Sequence, residues 1–241
     1  MTLLSLKSLS KHYGALVVTD GVSFDVAAGE IVGILGPNGA GKTTLFNLIA
    51  GTVRPDSGSL WFDGADLGPA DVSERCRRGI ARSFQIPHPF SGMTVFENLL
   101  VGAIFGRPGA RLNPEQRAAD VLALTGLKPK ANALAGSLTL LERKRLELAR
   151  GLATDPKLLL LDEIAGGLTD GECASLLAAI RDVHKSGVTI VWIEHVVHAL
   201  LSVAQRLIVL NFGCKIADGR PAEVLANAEV KSVYMGEDAH V

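Results

Sequence analysis

The stretch "GPNGAGKT", which runs from Gly36 to Thr43, constrains the fold of this chain more than any other feature. It satisfies the pattern G-x-x-x-x-G-K-[ST] in full, follows an apolar run and opens a helical pattern. Glycines let the backbone curl until successive N–H groups point inward, and the start of a helix adds a positive dipole. The stretch therefore predicts a phosphate-binding loop between a strand and a helix.

The side chains of this loop predict which phosphate compound it holds. We expect Lys42 to reach the β- and γ-phosphates of a nucleotide as a mobile cation, and the Thr43 hydroxyl to ligate Mg²⁺. A glycine-rich turn without a ligand is the alternative, and the strand–loop–helix context disfavours it. The predicted ligands are a nucleotide and Mg²⁺. The residues expected around the phosphates are Gly36, Pro37, Asn38, Gly39, Ala40, Gly41, Lys42, Thr43 and Thr44.

A second candidate element lies in "LLLLDE", where Asp162 and Glu163 end a buried apolar run. Ligands of open α/β sheets bind at the carboxyl ends of strands. Asp162 is placed to hold Mg²⁺ through water, and Glu163 is placed to polarise an attacking water as a general base. Acidic residues that merely end a strand are the plainer interpretation. Beside a complete phosphate loop, we favour the catalytic one.

Short apolar runs alternate with helical patterns, which predicts an α/β fold with a mainly parallel sheet covered by helices. The first 65 residues contain short strands with turns and predict an N-terminal antiparallel β lobe. Residues 94–150 show no convincing strand. We expect a helical lobe, about 86–152, inserted into a single domain that spans 1–241. The predicted strands are 30–35, 157–162, 188–193 and 206–211, and the predicted helices are 42–50, 170–185 and 195–205.

The stretch "LTLLERKRLELAR", from Leu138 to Arg150, predicts a helix with a defined start. Thr139 is the expected N-cap, and Glu142 completes a capping box three residues later. Leucines fall on one face at steps of three, four and seven, as in an ordinary surface helix. We expect most of the charges to lie away from that face. These charged residues are Arg143, Lys144, Arg145 and Glu147.

Composition excludes several classes of protein. The formal net charge of -1 over 241 residues argues against binding of nucleic acid through bulk positive charge. The three cysteines are far apart and form neither a disulfide nor a zinc pattern. No N-terminal signal peptide is visible, and the longest apolar region is interrupted by five polar or charged residues, beginning with Glu194. We expect a soluble protein without a transmembrane segment.

These motifs, in this order, resemble the ATP-binding subunits of ABC transporters, a P-loop NTPase-type fold, over nearly the whole chain. "GPNGAGKTTL" and "LLLLDE" look like the Walker A and Walker B motifs. Gln85 in "RSFQ" looks like the glutamine that senses Mg²⁺ and the permease. His195 in "IEH" looks like the switch histidine that contacts the γ-phosphate, and Tyr13 looks like the aromatic that stacks on adenine.

The resemblance assigns roles that the residues alone leave open. Taken singly, Gln85 could be a strand-end amide, His195 a satisfied histidine at a helix start and Tyr13 a turn aromatic. In the family's order, the resemblance implies a catalytic set of Lys42, Gln85, Glu163 and His195. It implies metal ligation by Thr43, Gln85 and Asp162, and nucleotide contacts from Tyr13 and Thr139.

A narrower resemblance points to the branched-chain amino-acid uptake ATPases. It rests on "GIARSFQIPHPFSGMTVFENLLVGA", on "RKRLELAR" and on the ending "VYMGED". ATPases for urea or amide uptake, or for lipopolysaccharide export, are the alternatives. The implied partners are membrane permease subunits, a second ATPase subunit that is identical or homologous, and an extracytoplasmic substrate-binding protein reached through the permease. The implied location is peripheral, at the cytoplasmic face of the plasma membrane.

One segment departs from the family pattern. The family usually has L-S-G-G-Q, facing the γ-phosphate of the other protomer, where this chain has Leu138 to Glu142. Thr139 keeps the hydroxyl, but both glycines are gone, which obstructs close backbone approach. Glu142 adds a negative charge that must be balanced by Arg143, Lys144 or Arg145, or turned back onto the Thr139 N–H.

Two rival functions stay open. A regulatory nucleotide-binding subunit with weak hydrolysis is one, and the altered segment is its best support. A non-transport ABC protein is the other, although such proteins usually carry two ATPase units or a long insertion. The loop after Glu163 also departs from the family at Thr169 and Asp170, which puts coupling between two nucleotide sites in doubt.

Overall fold

A computed structural model describes residues 1–109 and 113–235 of the chain. The strands in chain order are β1 (Thr2–Tyr13), β2 (Leu16–Ala27), β3 (Ile31–Leu35), β4 (Ser57–Phe62), β5 (Ala65–Asp66), β6 (Ile80–Arg82), β7 (Leu158–Asp162), β8 (Thr189–Ile193), β9 (Arg206–Asn211) and β10 (Cys214–Gly219). The α-helices are α1 (Lys42–Ala50), α2 (Val72–Arg78), α3 (Val95–Phe105), α4 (Pro114–Leu124), α5 (Leu140–Ala153), α6 (Asp170–Lys185), α7 (Val197–Leu201), α8 (Pro221–Ala226) and α9 (Ala228–Met235).

The chain forms two compact units. The first contains Met1–Val72 and the chain from Val191 onward, and the second contains Ser73–Ile190. The expected inserted lobe lies within the second unit. A single domain over the whole length, with a lobe at about 86–152, stays a prediction.

The first unit contains the antiparallel lobe predicted from the first 65 residues. Its four strands lie in the order β2-β1-β4-β5, and all three neighbouring pairs are antiparallel. Strand β1 buries Leu4, Leu6 and Leu9 on one side. Leu6 and Leu9 are three residues apart, where a regular strand would place side chains on the same side every two residues. A break in register between them, with Ser8 at a positive φ of 47°, accommodates the extra residue. Elsewhere in this unit, β3 pairs in parallel with β9, which pairs antiparallel with β10.

The second unit carries the helical segment. Helices α3, α4 and α5 pack against one another. Each starts at a side-chain N-cap, provided by Thr94, Asn113 and Thr139. The described residues between Val95 and Ala153 contain no strand, as predicted. In the same unit β6 pairs in parallel with β7. The expected α/β class, with parallel strand pairs and an antiparallel lobe, is therefore confirmed.

Most predicted elements appear at their expected positions. The strand 206–211 and the helices 42–50 and 170–185 have the predicted bounds, and the other three predicted strands each begin one residue later. The helix predicted at 195–205 is present but shorter, because α7 spans only Val197–Leu201. The carboxylate of Glu194 accepts the N–H groups of His195 and Val196, at 3.1 and 3.3 Å, and holds these residues outside the helix. Among the helices of the described residues, none is long and apolar enough to cross a bilayer.

Candidate functional site

The predicted phosphate loop connects the fully buried strand β3 to α1 in the first unit. Gly39 and Gly41 have φ angles of 81° and 96°, a region that glycine adopts without steric cost. The first intrahelical bond runs from the Leu45 N–H to the Gly41 carbonyl at 2.9 Å, so the preceding amides at the helix start have no intrahelical acceptor. This is the amide arrangement that an anion requires at a helix N-terminus.

The cation of the loop is held by the loop itself. Lys42 is buried, and its Nζ donates hydrogen bonds to the carbonyl oxygens of Gly36 at 2.6 Å and of Pro37 at 2.9 Å. A buried ammonium group needs such partners to offset its desolvation. The two carbonyls therefore fix the position of the charge that phosphate oxygens would approach.

Two further predicted residues lie in the same unit. Tyr13 ends β1, is half exposed, and has the ammonium of Lys11 5.5 Å from its ring centroid. An exposed ring at a hairpin end is able to stack on a planar base. His195 follows β8, and its side chain is 58% exposed, with Nδ1 3.8 Å from the Glu194 carboxylate. His195 lies two residues before the start of α7.

Asp162 and Glu163 lie at the carboxyl end of β7 in the second unit, as predicted from "LLLLDE". Asp162 is buried, and its Oδ2 accepts a hydrogen bond of 2.7 Å from the Arg82 guanidinium. Its backbone N–H donates to the Ser83 hydroxyl at 3.2 Å. One carboxylate oxygen is thus occupied by an arginine, and the other remains as a hard oxygen donor of the type that Mg²⁺ prefers.

Gln85 and Glu163 are brought into contact. The amide nitrogen of Gln85 donates to Oε2 of Glu163 at 2.5 Å, and the amide oxygen of Gln85 takes no part in this hydrogen bond. Glu163 has a positive φ of 45°, a strained conformation for a residue other than glycine. Strain of this kind is concentrated at functional sites, in line with the role expected for Glu163.

The oxygen donors fit Mg²⁺, although they do not form a dedicated metal cage. Within 1–109 and 113–235, no three His, Cys, Asp or Glu side chains gather as a metal site. Mg²⁺ bound with a nucleotide usually takes one or two protein oxygens and completes its shell with phosphates and water. In the second unit, Gln85 and Asp162 carry oxygen atoms of that kind, and in the first unit Thr43 carries a hydroxyl oxygen.

Comparison with known proteins decides the family. The profile described as "ABC transporter" matches residues 19–166. The chain belongs to the ABC transporter family. A second profile, "Branched-chain amino acid ATP-binding cassette transporter", matches residues 214–240. The last part of this range, together with the final three residues of the "VYMGED" ending, lies outside the described residues.

Relatives of known role cover this ABC cassette from end to end. It is 34% identical to the high-affinity branched-chain amino acid transport ATP-binding protein BraF of Pseudomonas aeruginosa, over 98% of both chains. It is 35% identical to the lipopolysaccharide export system ATP-binding protein LptB of Escherichia coli K12, over 99% of both. The ADP conformation of MJ1267, an ATP-binding cassette of an ABC transporter, superposes with a TM-score of 0.87 at 32% identity, covering 98% of this chain and 99% of that one. The chain is therefore an ATPase cassette related to the branched-chain amino-acid importers.

The segment of this ABC cassette that departs from L-S-G-G-Q forms the predicted capping box. The Thr139 hydroxyl accepts the Glu142 N–H at 3.3 Å, and a Glu142 carboxylate oxygen accepts the Thr139 N–H at 2.9 Å. The Thr139 N–H holds the pKa of Glu142 below its ordinary value, and the ammonium of Lys130 acts in the same direction. Lys130 lies 3.2 Å from the carboxylate. The charge of Glu142 is thus balanced by Lys130, and the three basic residues that follow it are not needed for this.

The expected surface character of helix α5 is wrong. Lys144 and Glu147 are each only 4% exposed, and both contact the loop that carries Gln85. Burial raises the pKa of Glu147, against the opposing effects of Arg150 and of the Phe84 N–H. Sequence reasoning missed these roles and that of Arg82. Lys144, Glu147 and Arg150 are spaced by three and therefore lie on one face of the helix. That spacing was the signal that could have revealed the roles of Lys144 and Glu147.

Proposed function

We propose that this ABC ATPase is the energy-coupling subunit of a binding-protein-dependent importer for branched-chain or related amino acids. The observation that carries the proposal is the match of residues 214–240 to the branched-chain amino-acid cassette profile. The similarity to BraF supports it. The proposed partners are membrane permease subunits, a second ATPase subunit and, through the permease, a substrate-binding protein. The proposed location is the cytoplasmic face of the membrane.

The proposed chemistry is positioning together with electrostatic stabilisation. Lys42 and the amides at the start of α1 would bind the phosphate oxygens, and Tyr13 would stack on adenine. Mg²⁺, when bound with ATP, supplies positive charge at the phosphates, and Thr43, Gln85 and Asp162 would provide its protein ligands. Glu163 would orient and deprotonate the attacking water, with His195 and Thr139 as further contacts of the γ-phosphate.

The contact between Gln85 and Glu163 supports the role of the glutamate. A carboxylate that accepts a hydrogen bond from an amide is held in one orientation. Purified wild type and Glu163→Gln should therefore bind ATP with similar affinity, whereas the variant should lose most turnover. Normal hydrolysis by Glu163→Gln would remove Glu163 from the catalytic set.

Transport itself tests the substrate class. In a strain that lacks this gene, we expect uptake of radiolabelled leucine to be lost, and to return with the wild-type gene but not with Glu163→Gln. Expression of both forms is checked by immunoblot. Loss of urea uptake with leucine uptake unchanged would favour the amide alternative. A defect in lipopolysaccharide delivery would instead favour the export alternative suggested by the similarity to LptB.

A weakly hydrolysing, asymmetric role is the second candidate. It is favoured by Leu140 and Leu141, which stand where glycines let a backbone approach phosphate, and Leu140 is exposed. In a complex with a different partner ATPase, Glu163→Gln here should remove most turnover, and the matching change in the partner should remove little. Equal losses from the two single variants would contradict asymmetry.

A further inference from the structure

Lys144 is buried in the second unit, in an environment unlike that of a surface lysine. Its side chain is in the interior, and its Nζ lies 2.8 Å from the carbonyl oxygen of Gln85 and 3.4 Å from that of Glu163. A buried ammonium group is expensive unless it is hydrogen-bonded. Through these two carbonyl contacts, Lys144 joins the backbone segments of Gln85 and Glu163.

The two segments are those that carry the proposed catalytic pair. Gln85 and Glu163 already contact each other through their side chains, and Lys144 contacts both of their main chains. The three residues thus form a closed ring of hydrogen bonds. Glu163 is also the residue with the strained φ of 45°, and a cation on its carbonyl helps to hold that conformation.

The same face of α5 holds the rest of the loop. Oε1 of Glu147 accepts the Phe84 N–H at 3.3 Å, and Nη1 of Arg150 donates to the His88 carbonyl at 2.9 Å. Arg150 also contacts Glu147 at 3.2 Å. Side chains at steps of three lie on one face of a helix, so α5 holds residues 84–88 at three successive points. These hydrogen bonds fix the loop to helix α5.

We propose that Lys144 is a positioning residue for ATP hydrolysis, which acts by holding Gln85 and Glu163 in register. The inference rests on the proposed catalytic role of Glu163. Lys144 lies in the second unit, away from the phosphate loop in sequence, and its ammonium group contacts the main-chain carbonyls of both members of the catalytic pair. Its loss should reduce the rate of the chemical step and leave nucleotide affinity unchanged. Misplacement of a catalytic group by about 1 Å costs on the order of 100-fold in rate.

The test compares Lys144→Met with Lys144→Arg and with the control Lys185→Met. Lys185 lies on α6 in the same unit, and its side chain is 74% exposed. We expect Lys144→Met to lower kcat by roughly 10- to 100-fold with the Kd for a fluorescent ATP analogue unchanged. Lys144→Arg keeps a charged donor and should be faster than Lys144→Met, and Lys185→Met should match the wild type.

A double variant separates positioning from general loss of structure. If Lys144 acts through the Gln85–Glu163 contact, Lys144→Met should have little further effect in a Gln85→Ala background, because residues that act as a unit are not additive. Hydrogen exchange of the full chain gives a readout that does not need turnover. Peptides covering 84–86 and 163–165 should exchange faster in Lys144→Met and normally in Lys185→Met.

Three results would overturn the inference. The first is wild-type turnover in Lys144→Met. The second is a loss of nucleotide affinity in Lys144→Met that is as large as its loss of kcat. The third is a loss of kcat in the double variant that equals the product of the losses in Lys144→Met and Gln85→Ala. Glu163→Gln is measured in parallel. If Glu163→Gln hydrolyses ATP normally, the assignment of Glu163 as the base is wrong. If Glu163→Gln is inactive and Lys144→Met is fully active, only the positioning role of Lys144 is refuted. Should Lys144→Met not fold, Lys144→Gln is measured by the same exchange and turnover criteria.

Discussion

Replacing Gly41 by alanine should damage the phosphate loop far more than the same change at Gly39. Both glycines have positive φ angles, 96° and 81°, so an alanine at either position is strained. Their surroundings differ. A Cβ added at Gly41 would lie 2.3 Å from the carbonyl oxygen of Val18, whereas a Cβ at Gly39 would have no atom within 4 Å. The pair therefore separates backbone strain from steric overlap.

The magnitude follows from those two terms. A left-handed conformation costs a residue with a Cβ about 1–2 kcal/mol, and this applies to both variants. At Gly41 the backbone of β2 or the start of α1 must also move by about 1 Å, and overpacking of that kind typically costs ~1–3 kcal/mol. The variants should differ by that second amount, which corresponds to roughly 2–12 °C in Tm for a chain of this size.

Thermal unfolding without nucleotide, followed by circular dichroism, measures the difference. Nucleotide is left out because a Cβ at Gly39 could obstruct phosphate in the complex without affecting the free protein. We expect the order of Tm to be wild type, Gly39→Ala, Gly41→Ala. Equal Tm values for the two variants, or a lower value for Gly39→Ala, would refute the steric reasoning.

Three further predictions concern the phosphate loop and the cap of α5. Lys42→Ala should abolish turnover and strongly weaken nucleotide binding, because it removes the predicted cation of the phosphate loop; titration with a fluorescent ATP analogue checks this, with Lys185→Met as control. Thr139→Ala should lower stability by about 1 kcal/mol through loss of the cap of α5, as measured by urea unfolding. Because the pKa of Glu142 is lowered from 4.5, its stabilising effect is complete above pH 4.5 and is lost as the pH falls through the lowered pKa, so the stability difference between wild type and Glu142→Gln should shrink in acid.

Much of the fold could be predicted because its signals are local. The strand at 206–211 is a continuous apolar run, and the helix at 170–185 has a Thr169/Glu172 capping box at its start. The helix predicted at 195–205 begins two residues later than expected, at Val197, for a reason that is equally physical. Its apolar periodicity is real, but the buried carboxylate of Glu194 competes for the N–H groups at its start.

The amino-acid sequence alone determined the phosphate loop, because that site is one contiguous peptide whose glycines and lysine act on their own backbone. It also determined the Thr139–Glu142 cap, which spans a single turn of helix. Only the tertiary structure decided that Lys144 and Glu147 are buried, that Lys130 balances Glu142, and that Arg82 holds Asp162. These pairings join residues that are 12 to 80 positions apart, and which side chain satisfies a buried charge depends on the packing of whole elements, which no local pattern records.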